Sequence, residues 1–379
     1  MDDPVVFDVP APFVVEGIVG QGAYGAVCKA KYGNELRAIK KIPNYSKSCD
    51  SAKKVLREVQ ILQQHQYCQQ VICCHTMFRP SSGDKDVYVV MDFQPSDLSS
   101  TIKDKNITLD EDRVRYIVAQ LLLGLRALHA NDCIHRDLST RNILINEDSQ
   151  VYLCDFGLSR FFDPDEQLSF GVVTQWYRAP EIILDAQYDF RADVWSVGVI
   201  LGELLLRKHL FPGKPNDHAD QLNRIFMLCG TPSKDLFAEG RSLARSSDNA
   251  RRYSFMYIDK RPTQPHLAKV LEGVAGASPN AIALFARLLT FDQAARPTAN
   301  EALQDPWFEP LRDFINQEME AMDSVEKPAI PSDSGELADI LEQIETLVKP
   351  FPEALKIMQD QEAEYAAAAA QDDAAAESS

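Results

Sequence analysis

The chain has 379 residues, 45% of them hydrophobic, and 39 Lys and Arg against 56 Asp and Glu give a formal net charge of −17 at pH 7. That length suits more than one structural unit, and the apolar share is enough for a sizeable core. So acidic a chain is a poor non-specific nucleic-acid binder, since that task needs Lys and Arg against phosphates.

Met1-Asp2-Asp3-Pro4 opens the chain without the basic stretch and apolar run of a signal peptide, and no apolar segment is long enough to span a membrane. The eight cysteines keep no regular spacing, which fits reduced thiols in cytosol or nucleus.

Phe13 to Val19 reads as a strand running into Gly20-Gln21-Gly22-Ala23-Tyr24-Gly25-Ala26-Val27, a Gly-x-Gly-x-x-Gly-x-Val pattern. Glycines there let a backbone close over phosphates without Cβ clashes. Arg37-Ala38-Ile39-Lys40 follows at the spacing of a third strand, with Lys40 beside apolar neighbours and suited to pair with phosphates. Ser51 to Gln64 is helical in character, Val55, Val59 and Leu62 recurring at helical spacing, with Glu58 as the candidate partner of Lys40. His65, Cys68, Cys73, Cys74 and His75 then crowd into one segment. Metal sites normally pair two separated ligand clusters, and vicinal cysteines on a strand face opposite ways, so these read as ordinary core residues.

Asp86 to Phe93 is a buried strand by its apolar run, and Gln94-Pro95-Ser96-Asp97 breaks it. A long helix from Leu109 to Ala130 delivers the chain to His135-Arg136-Asp137-Leu138-Ser139-Thr140-Arg141-Asn142. This His-Arg-Asp-Leu-x-x-x-Asn run suits phosphoryl transfer: Asp137 to take a hydroxyl proton, Asn142 to hold magnesium. The short strand Val151 to Cys154 leads into Asp155-Phe156-Gly157, where Asp155 is the second hard-oxygen ligand. Trp176-Tyr177-Arg178-Ala179-Pro180-Glu181 closes that segment, and Glu181 is expected to pair with Arg296. Buried helices are expected over Ala192–Leu206 and Ala281–Leu289.

Taken together, residues from about Phe13 to Phe308 resemble a eukaryotic protein kinase, with its signature motifs in order. The Trp176–Glu181 run, Asp220 to Phe226 followed by Gly230-Thr231-Pro232-Ser233, and Glu301 to Phe308 are similar to the mitogen-activated protein kinases. That resemblance implies an α+β, bilobal kinase fold, with a small β-rich N-lobe carrying one major helix and a larger, mainly helical C-lobe. It divides the chain into a lead over 1–12, a kinase domain over 13–308 (lobes 13–92 and 93–308) and an extension over 309–350 packing back on the domain; by composition, 351–379 is an acidic, Ala-rich tail, a frayed helix or disordered, with too little apolar area for a packed core. The extension's helix is expected from Glu336 to Val348, with Asp333 and Glu336 at capping-box spacing.

The resemblance further implies ATP and Mg²⁺, and a Ser or Thr substrate followed by Pro. Its nucleotide set falls on Gly20, Gln21, Gly22, Ala23, Tyr24, Gly25, Val27, Ala38, Lys40, Met91, Asp92, Gln94 and Asp97. Its catalytic set falls on Asp137, Lys40, Glu58, Arg141 and Thr174, and its metal set on Asn142 and Asp155. Protein substrates, an upstream kinase and a phosphatase are the implied partners of a monomer, cytoplasmic and nuclear, with no nucleic acid and no membrane.

Two departures stand out. Ser139 occupies the position of the family's lysine that contacts the transferring phosphate. Loss of one such donor costs about 3–4 kcal/mol, roughly 10²–10³ in rate, and Arg141 is expected to compensate in part. The family's Thr-x-Tyr switch reads Ser169-Phe170-Gly171, and the arginine that helps receive phosphotyrosine is Gln175. Lys54, Arg57, Arg136 and Arg160 survive as phosphate receptors, so a single phosphate at Ser169, or no loop phosphate, is the expected control. The alternative is a kinase-fold scaffold with vestigial catalysis. Asp313, Glu318, Glu320 and Asp323 lack the family's acidic docking pattern and read as a solvated helix face.

Overall fold

The computed structural model describes residues 5–22, 25–80, 85–162, 175–184, 186–230, 266–274, 276–326 and 336–363. Ala23, Tyr24, Ser169, Thr174, Thr231 to Ser233, Asp333 and the chain after 363 lie outside them. Two compact units result, one drawn from 1–66, 72–94 and 331–379, the other from 67–71 and 95–330. Among the described residues, no helix is long and apolar enough to cross a membrane.

The first unit is built on a sheet. β1 (Val14–Gly22), β2 (Gly25–Tyr32) and β3 (Glu35–Ile42) form an antiparallel meander, and β5 (Val87–Asp92) and β4 (Cys74–Arg79) continue it. Alternation along these strands gives the sheet two different faces. Cys28, Ala30, Ile39, Tyr88 and Val90 point one way, into an apolar cluster with Phe13 and Phe78. Val27, Ala38, Lys40, Val89 and Met91 take the intervening positions, and the register places Val27 opposite Lys40, Lys40 opposite Val89 and Ala38 opposite Met91. α1 (Cys49–Gln64) begins at Ser48, whose hydroxyl accepts the Ser51 N–H at 3.2 Å, and buries Val55, Leu56, Val59 and Leu62.

The C-terminal segment departs from the sequence reading in one place, after Pro350. Helix Leu337–Leu347 packs against α1, and a capping box closes its N-terminus: Glu336 is the N-cap, and the Asp339 carboxylate accepts the Glu336 N–H at 3.1 Å. Lys349–Pro350 then adds a short parallel strand beside β4. Residues 351–363, expected as a frayed helix or disordered tail without a packed core, form a helix that packs. Phe351, Ala354 and Met358 lie at helical spacing, are buried in the sheet's apolar cluster, and stand beside the half-buried Leu355. The Ala-rich composition that suggests disorder begins only after this stripe.

The second unit is mainly helical. Its long α3 (Glu111–Ala130) packs against the helix Arg191–Leu206, which is buried on nearly every side, as its largely apolar sequence requires. The start of the expected extension stays here: helix Arg312–Asp323 buries Ile315 and Met322, while Asp323 pairs with Arg126 at 2.6 Å and Glu318 accepts from Gln70 at 3.0 Å. Two of the four acids read as a solvated face are therefore engaged within the unit.

Candidate active site

In the helical unit, the catalytic stretch follows the two-residue strand Cys133–Ile134. Asp193, in the first turn of the helix Arg191–Leu206, reaches back to it. One of its carboxylate oxygens accepts the His135 N–H at 2.8 Å, the other the Arg136 N–H at 2.9 Å, and His129 Nε2 lies 3.0 Å away. Arg136 sits at φ 68°, a left-handed geometry that these bonds hold in place. His135 is fully buried, and burial lowers its pKa, so its ring is neutral. Its Nδ1 accepts the Asp137 N–H at 3.3 Å, which leaves Nε2 to donate to the Cys154 carbonyl at 3.2 Å. Asp193 has no place in the sequence-based site. Its signal is an aspartate at the head of an otherwise apolar, buried helix.

Asn142 donates through its amide nitrogen to the Asp137 carbonyl at 2.8 Å and to the Asp137 carboxylate at 2.9 Å. Burial, then the nearby Asp155 charge, push Asp137 up to about 7, against the pull of Asn142 and Arg178. Asp155 is itself left-handed at φ 64°, a geometry that non-glycine residues keep where the surroundings impose it. Ser139 is buried, and Arg141 beside it is exposed. Both line a cavity of about 500 Å³ walled by Trp176, Tyr177, His209 and Pro215. Gln175 is buried, its amide donating to the Lys214 and Asp217 carbonyls. Arg160 extends from a short strand paired with Cys133–Ile134.

In the sheet unit, Lys40 Nζ lies 2.5 Å from Glu58 Oε1, joining β3 to α1. Gly25, at φ +137°, is required by packing, since a Cβ there would stand 2.1 Å from the Lys41 carbonyl oxygen. Gly20 and Gly22 are not: among the described residues, a Cβ on Gly22 would meet nothing within 4 Å, and one on Gly20 only Val27 at 3.9 Å. The open space over these two glycines suits the close approach of a phosphate. Val27, Ala38 and Met91 share the face of Lys40. Asp92 alternates to the other face, where its carboxylate lies 2.7 Å from His75 and 3.8 Å from Arg37, so it is turned away from the set it was grouped with. Asp97, in the helical unit, is the N-cap of α2 (Leu98–Lys103), with its two oxygens taken by Ser100.

The protein kinase domain model matches residues 13–308. Mitogen-activated protein kinase 12 of Mus musculus is 40% identical over 304 residues, covering 78% of this chain and 77% of its own. Mitogen-activated protein kinase 4 of Arabidopsis thaliana is 39% identical over 306 residues, covering 79% and 77%. A solved MAP kinase of Leishmania major matches with a TM-score of 0.71 at 26% identity, over 89% of this chain and 94% of that one.

Proposed function

The chain belongs to the protein kinase family and, within it, to the mitogen-activated Ser/Thr protein kinases, and from that premise we propose that its acceptor is a Ser or Thr followed by Pro and that its activation segment is controlled atypically. The observation that carries the catalytic part is the Asp137–Asn142 pair. Asn142 spends its amide nitrogen on Asp137 and keeps its carbonyl oxygen for a cation. With the Asp155 carboxylate this makes a hard-oxygen set that fits Mg²⁺. Magnesium held there would neutralise charge on the nucleotide phosphates. Asp137 orients the acceptor hydroxyl and takes its proton as the oxygen attacks the γ-phosphorus and the bond to ADP breaks. Lys40, oriented by Glu58, is placed for the α- and β-phosphates.

Two further observations support the finer reading. The cavity beside Ser139 and Arg141 follows Asp137 directly in the chain, and its walls of Trp176, Tyr177 and Pro215 suit a proline ring after the acceptor. Gln175 is uncharged and hydrogen-bonded to backbone carbonyls, so it offers nothing to a phosphotyrosine. Both readings stay open from there: control by one phosphate at Ser169, or by no loop phosphate.

The test is transfer of radiolabelled phosphate from Mg-ATP to a basic model protein by wild type beside Asp137→Asn. Transfer by wild type alone establishes catalysis by this loop; transfer by neither, even after treatment with an upstream kinase, would favour the scaffold reading. Paired Ser-Pro and Ser-Ala peptides test the acceptor, and full activity of Ser169→Ala isolated from its native cell would exclude control by that phosphate.

A further inference from the structure

A second set of donors lies in the sheet unit, with Asp92 on the face opposite Lys40. Cys73 Sγ, a ring nitrogen of His75 and a carboxylate oxygen of Asp92 all lie within 4.8 Å of one another. The strands bring them together. Cys73 immediately precedes β4, Asp92 ends β5, and the Asp92 N–H donates to the Cys73 carbonyl at 3.2 Å. The ladder slips between Cys74 and Thr76, which makes His75 the extra residue of a bulge, a device that re-aims a side chain. Cys74 is buried, while Cys73, His75 and Asp92 are half-buried. His75 and Cys73 line a cavity of about 590 Å³ whose walls include Arg37, Glu35 and Glu362.

The sequence reading set Cys73 and His75 aside as core residues because their segment offers no second ligand cluster. In the structure a third donor, Asp92, comes from the neighbouring strand. His65 and Cys68, grouped with them, are core, His65 bonding the Ile61 carbonyl and Cys68 the Gln70 side chain.

We propose that Cys73, His75 and Asp92 bind one Zn²⁺, or a divalent transition ion of like preference, with a fourth position open to the cavity. Thiolate, imidazole and carboxylate are the donors zinc takes, and three protein ligands with one open position are an established zinc arrangement. Bonds of about 2.0–2.3 Å place tetrahedral ligand atoms roughly 3.3–3.8 Å apart, so side-chain adjustment within the observed cluster suffices. The ion would replace the 2.7 Å contact between His75 and Asp92. Charge permits it: thiolate and carboxylate together neutralise a dication. Arg37, 3.8 Å from Asp92, is itself paired with Glu35 and, at 3.5 Å, with Glu362. The ion would tie the start of β4 to the end of β5, and its loss would be read in the stability of the sheet unit.

The test uses the full chain, metal-stripped and nucleotide-free, titrated with Co²⁺ as a spectroscopic stand-in. The expected result is one Co²⁺ per chain with a sulfur-to-cobalt charge-transfer band and the visible bands of a tetrahedral ion, displaced by Zn²⁺. Cys73→Ser should abolish the charge-transfer band. Losing a ligand in His75→Gln should weaken binding by at least the roughly 10–100-fold that loss of an outer-shell partner costs. Cys154→Ser, beside the Asp155 magnesium ligand, should leave the band in place. A band that survives Cys73→Ser, or no sulfur-bound cobalt in wild type, overturns the proposal. X-ray absorption on the zinc-loaded wild type covers the case in which Cys73→Ser does not fold: one sulfur with nitrogen or oxygen ligands supports the site, and a shell without sulfur overturns it.

Discussion

Two buried ion pairs, one in each unit, are built to different ends. Arg296 is 1% exposed, and all five of its N–H groups are accounted for. It holds Glu181 through two parallel bonds of 2.6 and 3.0 Å, donates to the carbonyls of Thr290, Arg191 and Phe291, and packs on Trp195 with 5.1 Å between guanidinium and ring centre. A planar fork with every donor committed is a structural device. Lys40 meets Glu58 through one carboxylate oxygen at 2.5 Å. An ammonium group is a compact charge whose donors rotate, so it can be oriented by a carboxylate and still serve a phosphate. The difference separates a pair that fixes a fold from a pair that positions a charge.

Swapping the cations while keeping their charge tests this separation. Lys40→Arg should cut phosphate transfer by about 10²–10³, or about 3–4 kcal/mol of barrier, because a fork cannot place its charge where the ammonium sits. Its melting temperature should stay close to wild type, and a melting loss as severe as the activity loss would make Lys40–Glu58 a structural pair as well. Arg296→Lys should do the opposite. Three donors cannot cover the carboxylate and all three carbonyls, and the groups left unpaired should lower stability by about 3 kcal/mol. Urea unfolding measures the loss, while activity per folded molecule should hold.

The two pairs also show what was legible in the chain. Lys40, Glu58, Asp137, Asn142, Asp155, Glu181 and Arg296 all sit in runs whose chemistry needs those residue types at those spacings. The structure brings together Lys40 with Glu58, Asp137 with Asn142, and Glu181 with Arg296. The faces and boundaries of the elements are harder to read. Asp92 looked like one more residue beside Met91, yet strand alternation sends its carboxylate to the opposite face. Asp97, read with the nucleotide residues, also caps a helix that starts at the next residue. The segment 351–363 was obscured by the Ala-rich composition that follows it, although Phe351, Ala354 and Met358 already carry the helical period. Met358→Ala checks that this helix is core: it should destabilise the sheet unit by about 2–3 kcal/mol, seen as earlier urea unfolding, whereas a frayed tail would tolerate it.

Asp193 carries the comparison to its smallest expected effect, because it fixes structure and positions chemistry at once. Burial alone would raise its pKa, but the hydrogen bond and charge of His129, with His135 and the Arg136 N–H, outweigh burial and hold it below the usual 3.8. A carboxylate whose folded pKa is depressed adds stability that is fully present above the unfolded value and disappears as pH falls through the folded one. Asp193→Asn should therefore cost about 2 kcal/mol at neutral pH, the worth of a charge-assisted hydrogen bond. That gap from wild type should close as pH drops below 3.8, where wild type loses the same contribution. Urea midpoints of the two proteins across an acid series measure it. A gap that stays constant would mean the packing around Asp193, not its charge, sets the catalytic loop. The same variant separates the two roles at neutral pH. If Asp193 only stabilises, transfer per folded molecule is unchanged; if its bonds to the backbone of His135 and Arg136 also aim Asp137, kcat falls while KM for ATP stays close to wild type.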